Sequence, residues 1–277
     1  MPRKKTTPRK RSAKRPTRPT LAERCDKYQA YELALQSPEV DVELLQQIYK
    51  QARGRKAHHL REDFCGSAAT LRAWLEQGSQ FTGEGYDIDA EVLEWGRRSH
   101  FAPIGRRARR AALRHADVRQ RSLRAPDIRC VFNFSYWLFL ERREVLEYFR
   151  KARADLGKDG VFVVDLHGGA EVFSEQEQVT DCGDFQLVCH QTGVCPLDHT
   201  ANLAFHFRFP DGSEMRDAFQ YRWRIWSLPE VSDILREAGF TDIRCHWHID
   251  EDQETRYELT RSGYNDPAWI ACLAALK

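Results

Sequence analysis

Acidic side chains recur in the first half of the chain, each at or just after a predicted short strand. Glu62 and Asp63 precede a small-residue segment around Gly66, Asp87 lies 21 residues after that glycine, and Asp117 comes after a further predicted strand. Carboxylates accept hydrogen bonds from hydroxyl and ammonium groups, and a glycine lets the backbone pass close to a ligand. Together these residues predict a binding site for a small molecule with hydroxyl and cationic groups.

The elements that position these acids alternate between short strands and longer helices. The pattern predicts strands at 57–62, 81–87, 112–115, 128–133 and 161–165, with helices at 68–77, 90–100 and 142–156. Strand–helix–strand units at this spacing indicate right-handed crossovers and a parallel sheet, which is the doubly wound α/β class. Open sheets of this class bind ligands beyond the carboxyl ends of their strands, where the acids lie.

Charge distinguishes between two ligand classes for such a site. A dinucleotide carries a pyrophosphate, and its binding turn needs several glycines and no neighbouring carboxylate. Here Gly66 alone remains of that glycine pattern, and Glu62 and Asp63 would repel phosphate. S-adenosylmethionine (SAM) carries an ammonium and a sulfonium group and no phosphate, so nearby acids favour its binding. The sequence therefore predicts SAM as the cofactor, with an NAD-dependent oxidoreductase as a weaker alternative.

Several motifs resemble those of class I SAM-dependent methyltransferases. They lie at 60–67, 85–89, 116–118, 133–137, 160–165, 226–230 and 237–240. The resemblance extends from about residue 26 to the C-terminus and is closest to a bacterial-type branch that indicates no particular substrate. It implies a Rossmann-like, doubly wound and mostly parallel sheet of seven strands, the last antiparallel. Phe64 and Ala68 stand where the family most often has glycine, which leaves open whether Glu62 or Asp63 faces the cofactor.

The resemblance also implies roles for individual residues. Glu62 would lie near the amino group of SAM, Gly66 under its methionine portion, Asp87 at the ribose, and Asp117 with Val118 at the adenine. The predicted cofactor site comprises Glu62, Asp63, Cys65, Gly66, Asp87, Ile88, Asp117, Val118, Asn133 and Phe134.

Methyl transfer depends on proximity and orientation, and an amine acceptor must also lose a proton. The predicted catalytic residues, at the ends of the fourth and fifth strands, are Asn133, Tyr136 and His167. No metal site is predicted, because the run Cys245-His246-Trp247-His248 has no matching second group of ligands.

The remaining segments surround this core. Residues 1–20 form a basic tail predicted to be disordered, 21–56 a helical cap, and 57–277 the SAM-binding domain. Period-two patterns at 186–190, 202–209 and 218–225 predict an antiparallel lid inserted at about 180–226. Tyr221, Trp223 and Trp226 could close the pocket from above.

Charge and hydropathy limit the partners. Nine of the 43 Lys and Arg residues lie in 1–19, where there is no acid, so the remainder has 34 basic against 41 acidic residues. An acidic body and a lid favour a small-molecule acceptor methylated at nitrogen or oxygen. The tail keeps open a protein or RNA methyltransferase that contacts nucleic acid through residues 3–18. A non-catalytic SAM-binding or partner-binding protein is a further alternative.

The chain has neither an apolar run long enough for a bilayer nor an opening signal-peptide pattern, which predicts a cytoplasmic protein without membrane contact. The oligomeric state is left open.

Overall fold

The computed structural model describes residues 18–251 and 254–277. The predictions of disorder and nucleic-acid contact for the basic tail fall largely on residues 1–17, which lie outside the described residues. No helix in the described part of the chain is long and apolar enough to span a bilayer.

Seven α-helices are described. They are α1 (Leu21–Arg24), α2 (Lys27–Leu35), α3 (Pro38–Arg53), α4 (Ala69–Glu76), α5 (Ala90–Gly96), α6 (Arg142–Asp155) and α7 (Leu228–Glu237). Helix α3 illustrates why they form, because Pro38 occupies its first turn, where no backbone donor is needed. Its buried stripe includes Leu45 and Ile48, and it ends at Gly54, which adopts a left-handed φ of 69°.

Twelve strands are described in two sheets. They are β1 (His59–Asp63), β2 (Thr82–Asp87), β3 (Ala111–His115), β4 (Ile128–Val131), β5 (Val161–Gly168), β6 (Gln176–Asp181), β7 (Gln186–Thr192), β8 (Thr200–Arg208), β9 (Glu214–Arg224), β10 (Asp242–Glu251), β11 (Glu254–Thr260) and β12 (Trp269–Leu276). The large sheet has the order β11-β10-β12-β5-β4-β1-β2-β3.

This topology confirms the doubly wound α/β fold. Strands β1 to β5 pair in parallel, and β12 runs antiparallel between β5 and β10. The sheet differs from the expected seven strands by one, since β11 pairs antiparallel with β10 at the edge. The sequence of β11 is mostly polar because an edge strand needs no apolar residues on both faces, and this explains why it was not predicted.

The second sheet is the predicted antiparallel insertion, with the order β6-β7-β8-β9. It starts earlier than expected, because the polar edge strand β6 precedes the predicted lid boundary at about 180. Its apolar face forms a separate core with α2, in which Leu203, Phe205 and Phe207 pack with Ala30 and Tyr31. Helix α2 therefore lies between this sheet and the large one, over the carboxyl ends of the parallel strands.

Candidate functional site

A cavity of about 280 Å³ lies beyond the carboxyl ends of β1, β2 and β4. Its floor includes Glu62, Gly66 and Asp87 from the parallel sheet and the turns that follow the strands. Helix α2 and strand β9 form the opposite wall with Tyr31 and Tyr221, among others. The cavity therefore occupies the position where doubly wound sheets bind ligands.

The turn between β1 and α4 shapes one side of the cavity. Phe64, Gly66 and Ala68 all adopt left-handed conformations, with φ of 52°, 51° and 61°. Such values cost little for glycine but strain other residues. The turn therefore retains a glycine-type conformation at two positions where this sequence has larger residues. Helix α5 passes close beside it, because a Cβ on Gly96 would lie 2.2 Å from the Ser67 carbonyl oxygen.

Asp87 joins this turn to the end of β2. Its Oδ2 accepts a hydrogen bond from the Gly66 backbone N–H at 2.7 Å, and its Oδ1 accepts from the Asp89 N–H at 2.9 Å. Burial raises the pKa of Asp87, although these two backbone donors oppose the rise. Each oxygen keeps acceptor capacity for a further donor. The neighbouring Ile88 is 72% exposed at the cavity, which leaves an apolar surface beside the carboxylate.

Glu62 and Asp63 point to opposite sides of β1. The Glu62 side chain lies at the start of α4, where its Oε2 accepts from the Leu71 N–H at 3.0 Å. Burial raises the pKa of Glu62 to about 8, and the charges of Asp41 and Asp87 act in the same direction. Glu62 is therefore the acid of this pair whose side chain lies on the cavity side.

Asp63 also lines the cavity, but its side chain is fully buried and its carboxylate is directed to the other face of the sheet. Its oxygens accept from Arg61 Nε at 2.8 Å, Arg129 Nε at 2.6 Å and Tyr148 Oη at 2.7 Å. The two guanidinium groups also pair with Asp155. Since two buried cations face two buried carboxylates, the fully buried Asp63 carboxylate serves an internal ion network.

The predicted adenine residues are also engaged elsewhere. The Asp117 carboxylate accepts from Arg119 Nε at 2.9 Å and Nη2 at 2.6 Å, and this hydrogen bonding lowers its pKa. The buried Val118 turns its carbonyl oxygen toward Arg61 and Arg129. Neither residue borders the cavity. We therefore leave Asp117 and Val118 out of the proposed site.

The loop after β4 carries the two remaining predicted cofactor residues, Asn133 and Phe134, and they lie in different surroundings. Asn133 borders the cavity, and both Asn133 and Phe134 have a φ of 55°. The Phe134 N–H donates to Asp165 Oδ1 at 3.0 Å, which holds this bend against the end of β5. The Phe134 ring points away and packs 5.8 Å from the His167 ring. Phe134 does not border the cavity, and its partly buried ring packs against the core around the large sheet.

Two of the three predicted catalytic residues do not border the cavity. Tyr136 is fully buried in the core, with its ring 5.9 Å from that of Phe149. His167 lies behind Phe134, and burial lowers its pKa. Trp223 and Trp226, predicted to help close the pocket, also pack into the core around the large sheet, whereas Tyr221 borders the cavity.

Helix α2 supplies site residues that sequence reasoning missed. Tyr28, Tyr31 and Glu32 border the cavity, as does Phe219 of β9. Glu32 Oε1 accepts from Ser67 Oγ and lies 2.6 Å from His100 Nε2, so α2 is tied to the β1–α4 turn and to the segment after α5. The sequence places Tyr28 and Tyr31 in the predicted helical cap, but nothing in it indicates which surface that cap covers.

No group of three or more His, Cys, Asp or Glu residues is arranged to hold a metal ion within the described ranges.

Comparison with known proteins identifies the fold. No family model and no curated protein matches the chain. Among solved structures, it is similar to an S-adenosylmethionine-dependent methyltransferase from Clostridium acetobutylicum ATCC 824, with 11% identity and a TM-score of 0.64 over 89% of this chain and 96% of that one. It is also similar to SAM-bound CalS10, an amino pentose methyltransferase from Micromonospora echinaspora, with 16% identity and a TM-score of 0.61 over 90% and 97%.

The sugar N-methyltransferase KedS8 from Streptoalloteichus sp ATCC 53650 gives 14% identity and a TM-score of 0.61 over 90% of this chain and 92% of that chain. At these identities the likeness concerns the fold, and it extends over nearly the whole length of all three proteins. The chain has the Rossmann-like fold of class I SAM-dependent methyltransferases.

Proposed function

We propose that the protein is a SAM-dependent methyltransferase that acts on a small molecule. The observation that supports this most is the charge of the cavity. Glu62 and Asp87 border it beside the Gly66 turn, and no Lys or Arg is found among the described residues that line it. A pyrophosphate would meet these carboxylates without a compensating cation, whereas the ammonium and sulfonium groups of SAM suit them.

The residues present fit the parts of this cofactor. Asp87 has acceptor capacity left on both oxygens and would bind the two ribose hydroxyls. Ile88 would pack against the adenine, since its side chain is exposed at the cavity. Glu62 would pair with the ammonium group, which would favour the charged form of this carboxyl. Cys65 and Gly66 would contact the methionine portion through the turn.

The covering elements account for the rest of the proposed mechanism. Bound SAM supplies a methyl group that is already activated on a sulfonium, so the protein acts mainly by positioning and desolvation. Helix α2 and strand β9 cover the cavity and would shield the reacting groups from water, and Asn133 would orient the acceptor at the end of β4. CalS10 and KedS8 are named as methyltransferases of sugars, which supports a small-molecule acceptor for this fold.

Binding and turnover test the proposal separately. Calorimetry should show that SAM and S-adenosylhomocysteine bind, and that NADH does not compete. Tighter binding of NADH would refute the cofactor assignment. Incubation with methyl-labelled SAM and a metabolite extract should then give a labelled product by mass spectrometry. Binding without any transfer, to metabolites or to macromolecules, would instead support a non-catalytic SAM-binding protein.

The basic tail motivates a protein or RNA acceptor as the second candidate. Nine Lys or Arg residues in 1–19 would contact phosphates if RNA were the substrate. Removal of residues 1–17 should leave transfer to a small molecule unchanged at physiological salt. A salt-dependent affinity for RNA that weakens on this deletion would favour the second candidate.

A further inference from the structure

The wall of the cavity that faces the β1–α4 turn is aromatic. Tyr28 and Tyr31 from α2 meet Phe219 and Tyr221 from β9, and all four border the cavity. The rings of Tyr31 and Phe219 have centroids 4.9 Å apart, and those of Tyr28 and Phe219 are 5.9 Å apart. These four residues are here called the aromatic wall, and three of their rings, those of Tyr28, Tyr31 and Phe219, pack together.

Charge on this side of the cavity is negative. Glu32 lies on the same helix as Tyr28 and Tyr31 and borders the cavity, opposite the acids of the parallel sheet. The faces of aromatic rings carry partial negative charge and attract cations, most strongly where water is excluded. A positively charged group at the aromatic wall would therefore be favoured, and an anionic group would be repelled by Glu32.

The protein itself places an ammonium group against this wall. Lys27 Nζ lies 4.8 Å from the ring centroid of Tyr28 and 5.4 Å from that of Phe219. Lys27 does not line the cavity, so it contacts the two rings from outside. Two rings of the wall therefore already contact an ammonium group on their outer side.

On the basis of the proposed function, we infer that the methyl acceptor is a small amine, held at the aromatic wall next to Glu32. The lone pair of the neutral amine forms the new C–N bond while the S–C bond of SAM breaks. The positive charge passes from sulfur to nitrogen, and S-adenosylhomocysteine leaves uncharged at sulfur. Since the product is an ammonium ion, the wall and the acids stabilise the charge as it develops.

Three probes of nearly the same shape and different charge test this inference. Choline, 3,3-dimethylbutan-1-ol and 3,3-dimethylbutanoate should be titrated by calorimetry into the full chain saturated with S-adenosylhomocysteine. Choline is expected to bind about tenfold or more tightly than the neutral alcohol, as cation–π contacts in a desolvated site predict. The carboxylate should bind least. Equal binding of choline and the alcohol, preference for the carboxylate, or no choline binding would overturn the inference.

Matched variants locate the effect. Tyr31→Leu should abolish the preference for choline, whereas Tyr31→Phe keeps the ring and should retain most of it. Tyr264→Leu, at a residue that is 67% exposed and outside the cavity, is the control and should behave as wild type. Equal preference in Tyr31→Leu and wild type would also overturn the inference. Failure of S-adenosylhomocysteine itself to bind would refute the proposed function, and this outcome is distinct from loss of the charge preference.

Discussion

Neighbouring acids at the strand ends have different roles because successive side chains of a strand point to opposite faces. Glu62 lies on the cavity side of β1 with a single backbone donor, whereas Asp63 is enclosed by Arg61, Arg129 and Tyr148. Asp87 likewise borders the cavity while Asp117 is held by Arg119. The chemistry of a carboxylate here depends on the cations that reach it rather than on its position after a strand.

Substitutions of Asp87 and Asp117 should therefore have different effects on SAM affinity. Asp87→Ala should weaken SAM binding on the order of 100-fold, because hydrogen bonds from two ribose hydroxyls to a charged group are lost. Asp117→Ala should bind SAM within about twofold of wild type, which corresponds to less than about 0.5 kcal/mol. Calorimetry measures both affinities, and thermal unfolding checks that each variant is folded. Equal losses in the two variants would contradict the site described for this chain.

The buried ion network gives a second contrast. Asp63→Ala should lower the free energy of unfolding by about 3–5 kcal/mol, because it leaves the guanidinium groups of Arg61 and Arg129 undercompensated. Glu62→Gln keeps an acceptor for the Leu71 N–H and should change stability far less, while it weakens SAM binding. Urea denaturation and calorimetry provide the two measurements. A mild effect of Asp63→Ala on stability would show that the network is not required.

At the scale of elements, a strained turn and a covering helix complete the cavity. The β1–α4 turn reverses tightly enough for Gly66 to donate to Asp87, and helix α5 approaches it at Gly96. Helix α2 is held over the turn at both ends, by the bond from Trp95 Nε1 to Asp26 at 2.6 Å and by Glu32. The second sheet supports α2 from behind. The cavity is thus enclosed by elements that lie far apart in sequence.

Relief of strain in the turn should be measurable. Ala68→Gly should raise the free energy of unfolding by about 0.5–1 kcal/mol, because the left-handed conformation strains alanine by more than the backbone entropy of glycine opposes. The matched change Ala69→Gly, one residue later in the first turn of α4, should lower it by about 1 kcal/mol. Chemical denaturation compares the two. A destabilised Ala68→Gly would contradict the left-handed geometry of the turn.

At the scale of the whole molecule, folding gathers carboxyl groups in one poorly solvated region. Burial raises the pKa of Asp41 to about 7 and that of Asp165 to about 8, as it does for Glu62. These acids come from α3, β5 and β1, which are far apart in sequence. Only folding brings them together, so their pKa values are raised in the folded state and not in the unfolded chain. Above these pKa values the region carries an excess of negative charge, which a cationic ligand would offset.

This excess predicts how stability depends on pH. The folded state holds these protons more tightly than the unfolded chain, where carboxyl pKa values are about 4, so their contribution is complete below about pH 4 and declines up to about pH 8. Between pH 6.5 and 8 the ligand-free protein should lose stability, at up to about 1.4 kcal/mol per pH unit for each group. Glu62→Gln should flatten this slope in urea denaturation.

Saturating SAM should also reduce the loss of stability between pH 6.5 and 8. Its binding should release protons, which calorimetry in buffers of different ionisation enthalpy measures. An unchanged slope in Glu62→Gln, together with no proton release, would show that Glu62 is already charged in the free protein.

The fold followed from local information to a large extent. The alternation of apolar strands and helices, with small residues at the turns, was enough to predict the doubly wound sheet and the antiparallel insertion. The exceptions were β6 and β11, which lie at sheet edges, where polar residues are tolerated on exposed faces and period-two patterns fade. The ends of the other predicted strands and helices differ from the observed ones by only a few residues.

The site was determined by sequence only in part. Spacing alone put acids at successive strand ends and a glycine in the first turn, since chain direction sets which strand ends share an edge of a parallel sheet. Only the tertiary structure decided that the carboxyl groups of Glu62 and Asp87 face the cavity while those of Asp63 and Asp117 are bound by arginines. It also decided that Tyr28, Tyr31 and Glu32 complete the cavity. The position of each of these side chains depends on contacts between residues that are far apart in sequence, and local sequence patterns do not predict such contacts.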